Sequence, residues 1–262
     1  MSRRRQPKWP ARLAVQLAVW GLAATMLVPF AWMLSTALKT DAEAVQPVAW
    51  TTLLPTAPQW GNFSRAVREA NLDRFFANSL IVAVVTTVLA VAHNLLAGYA
   101  FAKLRFRGRR ILFGMALATM MLPVQVFFVF AYLVTDALHL VDTLRGLIVP
   151  FLASGFGVFY MRQAMNAVSD SVLEAGRLDG MGEADLLWHV VVPRVWPALS
   201  ALAVFTFMNA WNALFWPLVV SDSEASKTVP LALADLSAGL YVQSYPVQMA
   251  AATILVVPVV LV

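Results

Sequence analysis

Most of the residues in this 262-residue chain with the type and spacing to do chemistry lie in one stretch. Residues 166–199, NAVSDSVLEAGRLDGMGEADLLWHVVVPRVWPAL, hold Glu174, Asp179, Glu183 and Asp185 within twelve positions. Elsewhere the titratable groups are scattered. His93, His139 and His189 are separated by whole segments and form no HExxH pair, so no metal is expected. There is no cysteine, which removes thiolate ligands and disulfides. Lys39-Thr40 and Lys227-Thr228 lack the preceding glycine pattern of a phosphate loop, so the chain itself is not expected to bind ATP. Asn209 and Asn212 stand three apart in the apolar run 198–220 and therefore share a helix face. Asn94 and Gln125 lie in two other apolar runs. These are hydrogen-bonding groups rather than an acid–base pair, and no enzyme activity is expected of this chain.

The elements that position them must be membrane helices. The chain is 60% hydrophobic and 13% charged, with a mean hydropathy of +0.72. A soluble domain averages about 45–50% apolar and about 25% charged residues, so a water-soluble fold is excluded. A bilayer core takes about 20 apolar residues per helix, and six runs meet or approach that length: 12–37, 77–102, 111–135, 145–164, 198–220 and 245–262. The expected fold is all-α, a polytopic bundle of about six transmembrane helices in a single domain, residues 1–262. Pro123 and Pro258 are expected to kink their helices.

Lysine and arginine fix the orientation. Arg3, Arg4, Arg5, Lys8 and Arg12 precede the first run, and Lys103, Arg105, Arg107, Arg109 and Arg110 follow the second. Both clusters belong on the cytoplasmic side, and alternation then places 165–197 there as well. The first apolar run exceeds the roughly 7–15 residues of a signal-peptide core, so it reads as an uncleaved helix. The basic clusters flank apolar runs and read as topology determinants beside lipid headgroups, with no nucleic-acid partner. Segments 38–76 and 221–244 fall outside, the first as an irregular loop with a short helix from Ser64 to Asn71, the second as a connector. Counted from Met249, the last run gives only ~21 Å of helix, so a carboxy-terminal continuation is expected.

Within 166–197, Ser171 and Glu174 have the spacing of a capping box. Asp179-Gly180 and Gly182 break that helix, and Glu183 and Asp185 suit the start of a second, which runs toward Pro193 and Pro197 before entering the membrane. A helix, turn and helix outside the bilayer result.

This loop resembles the motif of permease subunits of binding-protein-dependent ATP-binding-cassette (ABC) importers. That motif reads Glu-Ala-Ala, two residues, Asp-Gly-Ala, eight residues, then Ile, any residue, Leu, Pro. Glu174-Ala175-Gly176, Asp179-Gly180-Met181 and Val190, Val192 and Pro193 fall at those positions without a gap. Gly176, Met181 and the two valines depart from it by small apolar exchanges. The resemblance implies a type I importer permease whose loop is a coupling helix. Glu174 would pair with a basic residue of the ATPase while also capping its own helix, Gly180 would give the turn, and Ala175 and Leu178 would fill a cleft in that subunit.

FFANSLIVAVVTTVLAVAHNLLAGYAFAKLRFRGRR (75–110), MLPVQV (121–126), LVDTLRGLIVP (140–150) and MNAWNALFWPL (208–218) resemble the carbohydrate branch, which includes the maltose permease G subunit. The implied partners are a second permease, with a heterodimer favoured, two ATPase subunits that bind ATP and Mg, and an external substrate-binding protein. The implied solute is a sugar, oligosaccharide or polyol such as a glycerol phosphate. On that reading Asn209, Trp211 and Asn212, with Gln125 and Asn94, are candidate pore-lining residues; interhelical hydrogen bonding is their alternative role. Rival readings are a permease for a non-carbohydrate solute, a secondary transporter, which should show inverted repeats absent here, and an enzyme of lipid-linked substrates, which needs acids clustered at one membrane face.

Overall fold

The computed structural model describes residues 9–47, 49–69, 71–239 and 243–261. The basic residues Arg3, Arg4, Arg5 and Lys8 lie outside them. Among the described residues the secondary structure is helical throughout: α1 (Trp9–Ala37), α2 (Asp41–Ala44), α3 (Gly61–Glu69), α4 (Leu72–Lys103), α5 (Arg109–Thr119), α6 (Val124–Ala137), α7 (Leu144–Ile148), α8 (Gly155–Asn166), α9 (Asp170–Leu178), α10 (Glu183–Trp211), α11 (Phe215–Val220), α12 (Val229–Ser237) and α13 (Tyr245–Leu261).

The six apolar runs are all helical, but not all are single rods. Helices α1, α4 and α10 are long and apolar enough to cross a membrane. Asp73 in the first turn of α4 and Lys103 in its last complement the helix dipole. The third run departs from a kinked rod. Pro123 is not inside a helix; at φ −59° and ψ 134° it caps α6, and α5 and α6 meet at 106°. A proline at that ψ cannot carry the helical ladder forward, so the chain turns before restarting. The fourth run is likewise bent, by 47°, between Leu144–Phe151 and α8. The fifth begins earlier than expected: α10 starts at Glu183, passes Pro193 and Pro197 without a break and ends at Trp211, leaving 215–220 as the separate α11. What admits Pro193 is a π-helical stretch at Leu186–Val191, immediately before it, where wider turns loosen the bonding that a proline interrupts.

The chain divides into two compact units. The first comprises residues 1–72 and 233–261, in which α13 packs against α1, α2 and α3. Its 38–60 segment is more ordered than an irregular loop. Thr40 and Glu43 form a capping box at α2, and the Glu43 carboxylate also accepts from the Thr56 backbone and hydroxyl. Buried Asn62 donates to the carbonyls of Ala37 and Lys39, both at 2.9 Å, closing the end of α1. The expected helix Ser64–Asn71 is α3, displaced to Gly61–Glu69.

The second unit, 73–232, holds two apolar clusters. One joins Leu95 and Tyr99 of α4, Met161 and Met165 of α8, Leu173 of α9, and Leu186, Val191 and Val195 of α10. The other gathers Val82, Ala131, Leu147, Ile148, Trp216 and Val220. Residues 225–229 are tied to the start of α4: Asn78 donates to the carbonyls of Ala225 and Lys227, and the Val229 N–H donates to Ser79 Oγ at 2.8 Å.

Candidate functional site

The loop at 166–197 is built around an ordered turn. Helix α9 ends at Leu178, and Gly180 follows in the left-handed region at φ +85°. The Met181 N–H donates to the Gly176 carbonyl at 2.9 Å and the Gly180 N–H to the Arg177 carbonyl at 3.1 Å, which is the double bond pattern of a Schellman motif. A side chain at 180 would strain that conformation, so the glycine is a geometric requirement here. The amino-terminal end differs from the capping-box expectation. Ser169 precedes the helix and makes no side-chain cap bond; its hydroxyl meets that of Ser171 at 2.7 Å. Because Asp170 opens the helix, Glu174 sits in its middle and does not cap it.

Burial divides α9 into two faces. Leu173 and Gly176 are buried, while Glu174, Ala175, Asp179 and Gly180 are exposed and Leu178 is 89% exposed. Leu178 thus projects into solvent at the tip of an ordered turn, with the exposed Glu174 and Ala175 on the same helix. Helix α9 is tied to α4 at two points, at one of them through Glu183 of α10. Tyr99 Oη donates to Glu183 Oε2 at 2.5 Å, and Arg177 Nε donates to Glu183 Oε1 at 2.8 Å. One turn further along α4, Lys103 Nζ donates to the Val168 carbonyl at 2.7 Å and to Asp170 Oδ1 at 2.6 Å. That ammonium holds the Asp170 carboxyl below its ordinary range. Tyr99, by way of Glu183 and Arg177, and Lys103, four residues on, therefore tie the end and the start of α9 to α4. The sequence offered Lys103 only as a member of a basic cluster and Tyr99 not as a site residue, because a tyrosine and a lysine closing a membrane helix are ordinary interface residues.

Towards the other end of α10 lies a cavity of about 560 Å³. Asn94, Gln125 and Asn209 line it, as do Thr86, Thr206 and Thr228, which the sequence analysis passed over. Thr86 had a legible signal: Val82, Thr86, Ala90 and Asn94 recur every four residues on one face of α4, and all four line the cavity. Phe127, Phe128, Phe151 and Trp216 supply an aromatic wall. The Trp216 indole N–H donates to the Gly146 carbonyl at 3.0 Å, and its ring meets Phe128 and Phe151 at centroid distances of 5.7 and 5.8 Å.

Trp211 and Asn212 are placed elsewhere. Trp211 is fully buried, stacked on Phe207 and edge-on to Phe76. Asn212 lies just past the last turn of α10 and donates to the Met208 carbonyl at 2.8 Å. As the C-cap, Asn212 keeps its backbone N–H on the Met208 carbonyl at 3.0 Å and is exposed, whereas Asn209 lines the cavity. His93 is exposed and does not line the cavity.

The family model for binding-protein-dependent transport system inner membrane components matches residues 94–262. The chain belongs to that family. The permease is 29% identical over 252 residues to the arabinooligosaccharides transport system permease protein AraQ of Bacillus subtilis (strain 168), spanning 96% of this chain and 89% of that protein. It is 29% identical over 250 residues to the lactose transport system permease protein LacG of Rhizobium radiobacter, spanning 95% and 89%. Its fold is similar to a chain of a crystal structure of a bacterial ABC transporter involved in import of the acidic polysaccharide alginate, with a TM-score of 0.81, 24% identity, and coverage of 100% of this chain and 96% of that one. The permease is thus a multi-pass inner-membrane component of an ABC importer, and ATP hydrolysis belongs to its ATPase partners.

Within the permease, the departures at Gly176 and Met181 from the family motif are physically linked. A Cβ on Gly176 would lie 2.6 Å from Leu186 Cδ2 and 3.2 Å from Met181 Sδ. The room that an alanine methyl would take is filled by a leucine and a methionine brought in by the turn.

Proposed function

We propose that this permease, one domain of residues 1–262, forms half of the translocation pathway of an importer for a sugar, oligosaccharide or polyol. Its 166–197 loop is the coupling element. The observation that carries the reading is the path of α10: its first residue, Glu183, is bonded to Tyr99 and Arg177, and its later residues Thr206 and Asn209 line the cavity. One helix joins the docking tip to the pathway. Glu174, Ala175 and Leu178 meet the ATPase, Gly176, Asp179, Gly180 and Met181 shape the turn, and Pro193 sits where α10 leaves its π stretch. The amino-terminal tail and this loop face the cytoplasm, where two ATPase subunits bind ATP and Mg. A second, non-identical permease completes the pathway, and an external binding protein delivers the solute. The kinship with arabinooligosaccharide and lactose permeases supports a carbohydrate solute.

The test is Glu174→Lys in the full importer reconstituted in vesicles. Binding-protein-stimulated uptake is expected to fall at least tenfold per ATP hydrolysed, since a reversed charge desolvated at an interface costs several kcal/mol. Unchanged coupling would remove Glu174 from the docking surface.

A further inference from the structure

Beside the end of α4, the 104–108 turn, the start of α5 and α8 border an open hollow of about 770 Å³. Among the described residues, four arginines line it, Arg105, Arg109, Arg110 and Arg162, and no acidic residue does. None of the four forms an ion pair with a described carboxylate. Asp170, whose carboxyl feels Arg105 at longer range, is bonded to Lys103 and does not line the hollow.

Two of the guanidinium groups are held in place by neutral atoms. Arg109 donates to the Leu104 carbonyl at 3.1 Å and to the Ala102 carbonyl at 3.4 Å. Arg162 donates from Nε to the Phe101 carbonyl at 3.1 Å and lies over the Phe113 ring, 4.2 Å from its centroid. These contacts fix position without cancelling charge, and a guanidinium with five N–H donors keeps some for a ligand. A topology signal needs only positive charge beside an apolar run. Here Arg162, from the separate helix α8, is brought to the same space as the arginines of the α4–α5 turn. Like charges gathered round one hollow repel until an anion enters, and guanidinium forks match phosphate oxygens in bidentate pairs.

The apolar surroundings decide which phosphate fits. Ile111 lines the hollow, and with Met115, one turn on along α5, it is 71% and 61% exposed respectively. Helix α5 is one arm of a bent pair apolar enough to be a membrane span. A phosphate that carries acyl chains covers these side chains as well as the charges, whereas a free phosphate leaves them bare. A choline or ethanolamine headgroup would bring a further cation to a space that has no acid to meet it.

We propose that Arg105, Arg109, Arg110 and Arg162 form a site for the headgroup phosphate of an anionic glycerophospholipid, with its acyl chains along Ile111 and Met115. The site is independent of the solute and takes from the proposed topology only that this end of α4 meets the cytoplasmic leaflet. Occupied, it ties the α4–α5 turn to α8 beside the Lys103 contact with α9.

In the experiment the intact importer, purified in detergent, is mixed with equal amounts of phosphatidylglycerol and phosphatidylcholine of the same acyl composition. Native mass spectrometry counts the lipids each complex keeps and reports its subunits. Wild type is expected to keep phosphatidylglycerol in preference to phosphatidylcholine. Arg105→Gln combined with Arg110→Gln, which leaves the carbonyl contacts of Arg109 and Arg162 in place, should lower that preference about tenfold or more. Arg107→Gln removes the same charge from an exposed neighbour outside the lining and should change it less than about twofold. The two single variants carry the test if the double variant does not assemble. Inorganic phosphate is added to wild type as a competitor and should not displace the lipid. Equal retention of both lipids, an Arg107→Gln effect as large as that of the lining variants, or displacement by inorganic phosphate would each overturn the site. So would a wild-type lipid count in the lining variants, the result expected if a second permease or an ATPase covers the hollow. A permease that purifies without ATPase subunits would instead sink the importer reading, and its lipid count would still be readable.

Discussion

At Asp142 a single carboxylate oxygen accepts from the backbone N–H groups of Asp222 and Ser223 and from the Ser226 hydroxyl, while its own N–H donates to the Val220 carbonyl. The residue adopts φ +57°, a left-handed conformation that aspartate tolerates better than most side chains. Burial pushes its carboxyl up, but hydrogen bonds from Ser226, Ser223 and Asp222 prevail and hold it at about 2. A carboxyl lowered in the folded state stabilises fully above its unfolded value of 3.8, and that stability is lost as pH falls toward about 2. The contribution is about 1–2 kcal/mol after allowance for partial exposure. Asp142→Asn is therefore expected to melt lower than wild type at neutral pH and to lose the decline of Tm between pH 4 and 2. Parallel melting curves for the two proteins over that interval would refute this role. The Asn78-Ser79 pair shows the same economy: a motif that the sequence offered only as a resemblance is, in the structure, the anchor of residues 225–229.

At the scale of elements, the apolar runs were legible because hydropathy and length report helices directly, and the Asp179-Gly180 turn because left-handed geometry selects glycine. What misled the reading were features that local spacing does not determine. Ser171 and Glu174 have the separation of a capping box, yet a helix beginning at Asp170 puts both inside it. Pro193 and Pro197 were read as the approach to a membrane helix that the structure starts ten residues before Pro193, because no sequence pattern announced the π turns that accommodate a proline. The attachment of α9 to α4 spans 65 to 84 positions and depends on tertiary packing alone. If it transmits force, Tyr99→Phe and Lys103→Met should lower transport per ATP hydrolysed about tenfold or more, in line with about 1.5–3 kcal/mol for hydrogen bonds to charged groups. Lys103→Arg should restore most of the loss. Variants that lose ATPase activity and uptake in equal proportion would indicate a merely structural contact.

For the whole molecule, the lack of cysteine makes sidedness directly measurable. Leu178→Cys introduces a single thiol at an exposed tip, and a membrane-impermeant maleimide is expected to label it in inside-out vesicles and not in intact spheroplasts. Labelling from the outside would invert the topology derived from the basic residues. The candidate site was legible in part for a related reason. Asn94, Gln125 and Asn209 were singled out as polar groups in apolar surroundings, whereas Thr86 and Thr228 are small enough to pass as packing residues. The π stretch of α10 has a further geometric consequence. Such a stretch stores about one residue of extra winding, and one residue of an α-helix subtends about 100°. Were Leu186–Val191 to relax to ordinary pitch, everything beyond it would turn like a bolt by roughly a quarter of a revolution. Thr206 and Asn209 would be carried to a new azimuth, with no need for the helix to break.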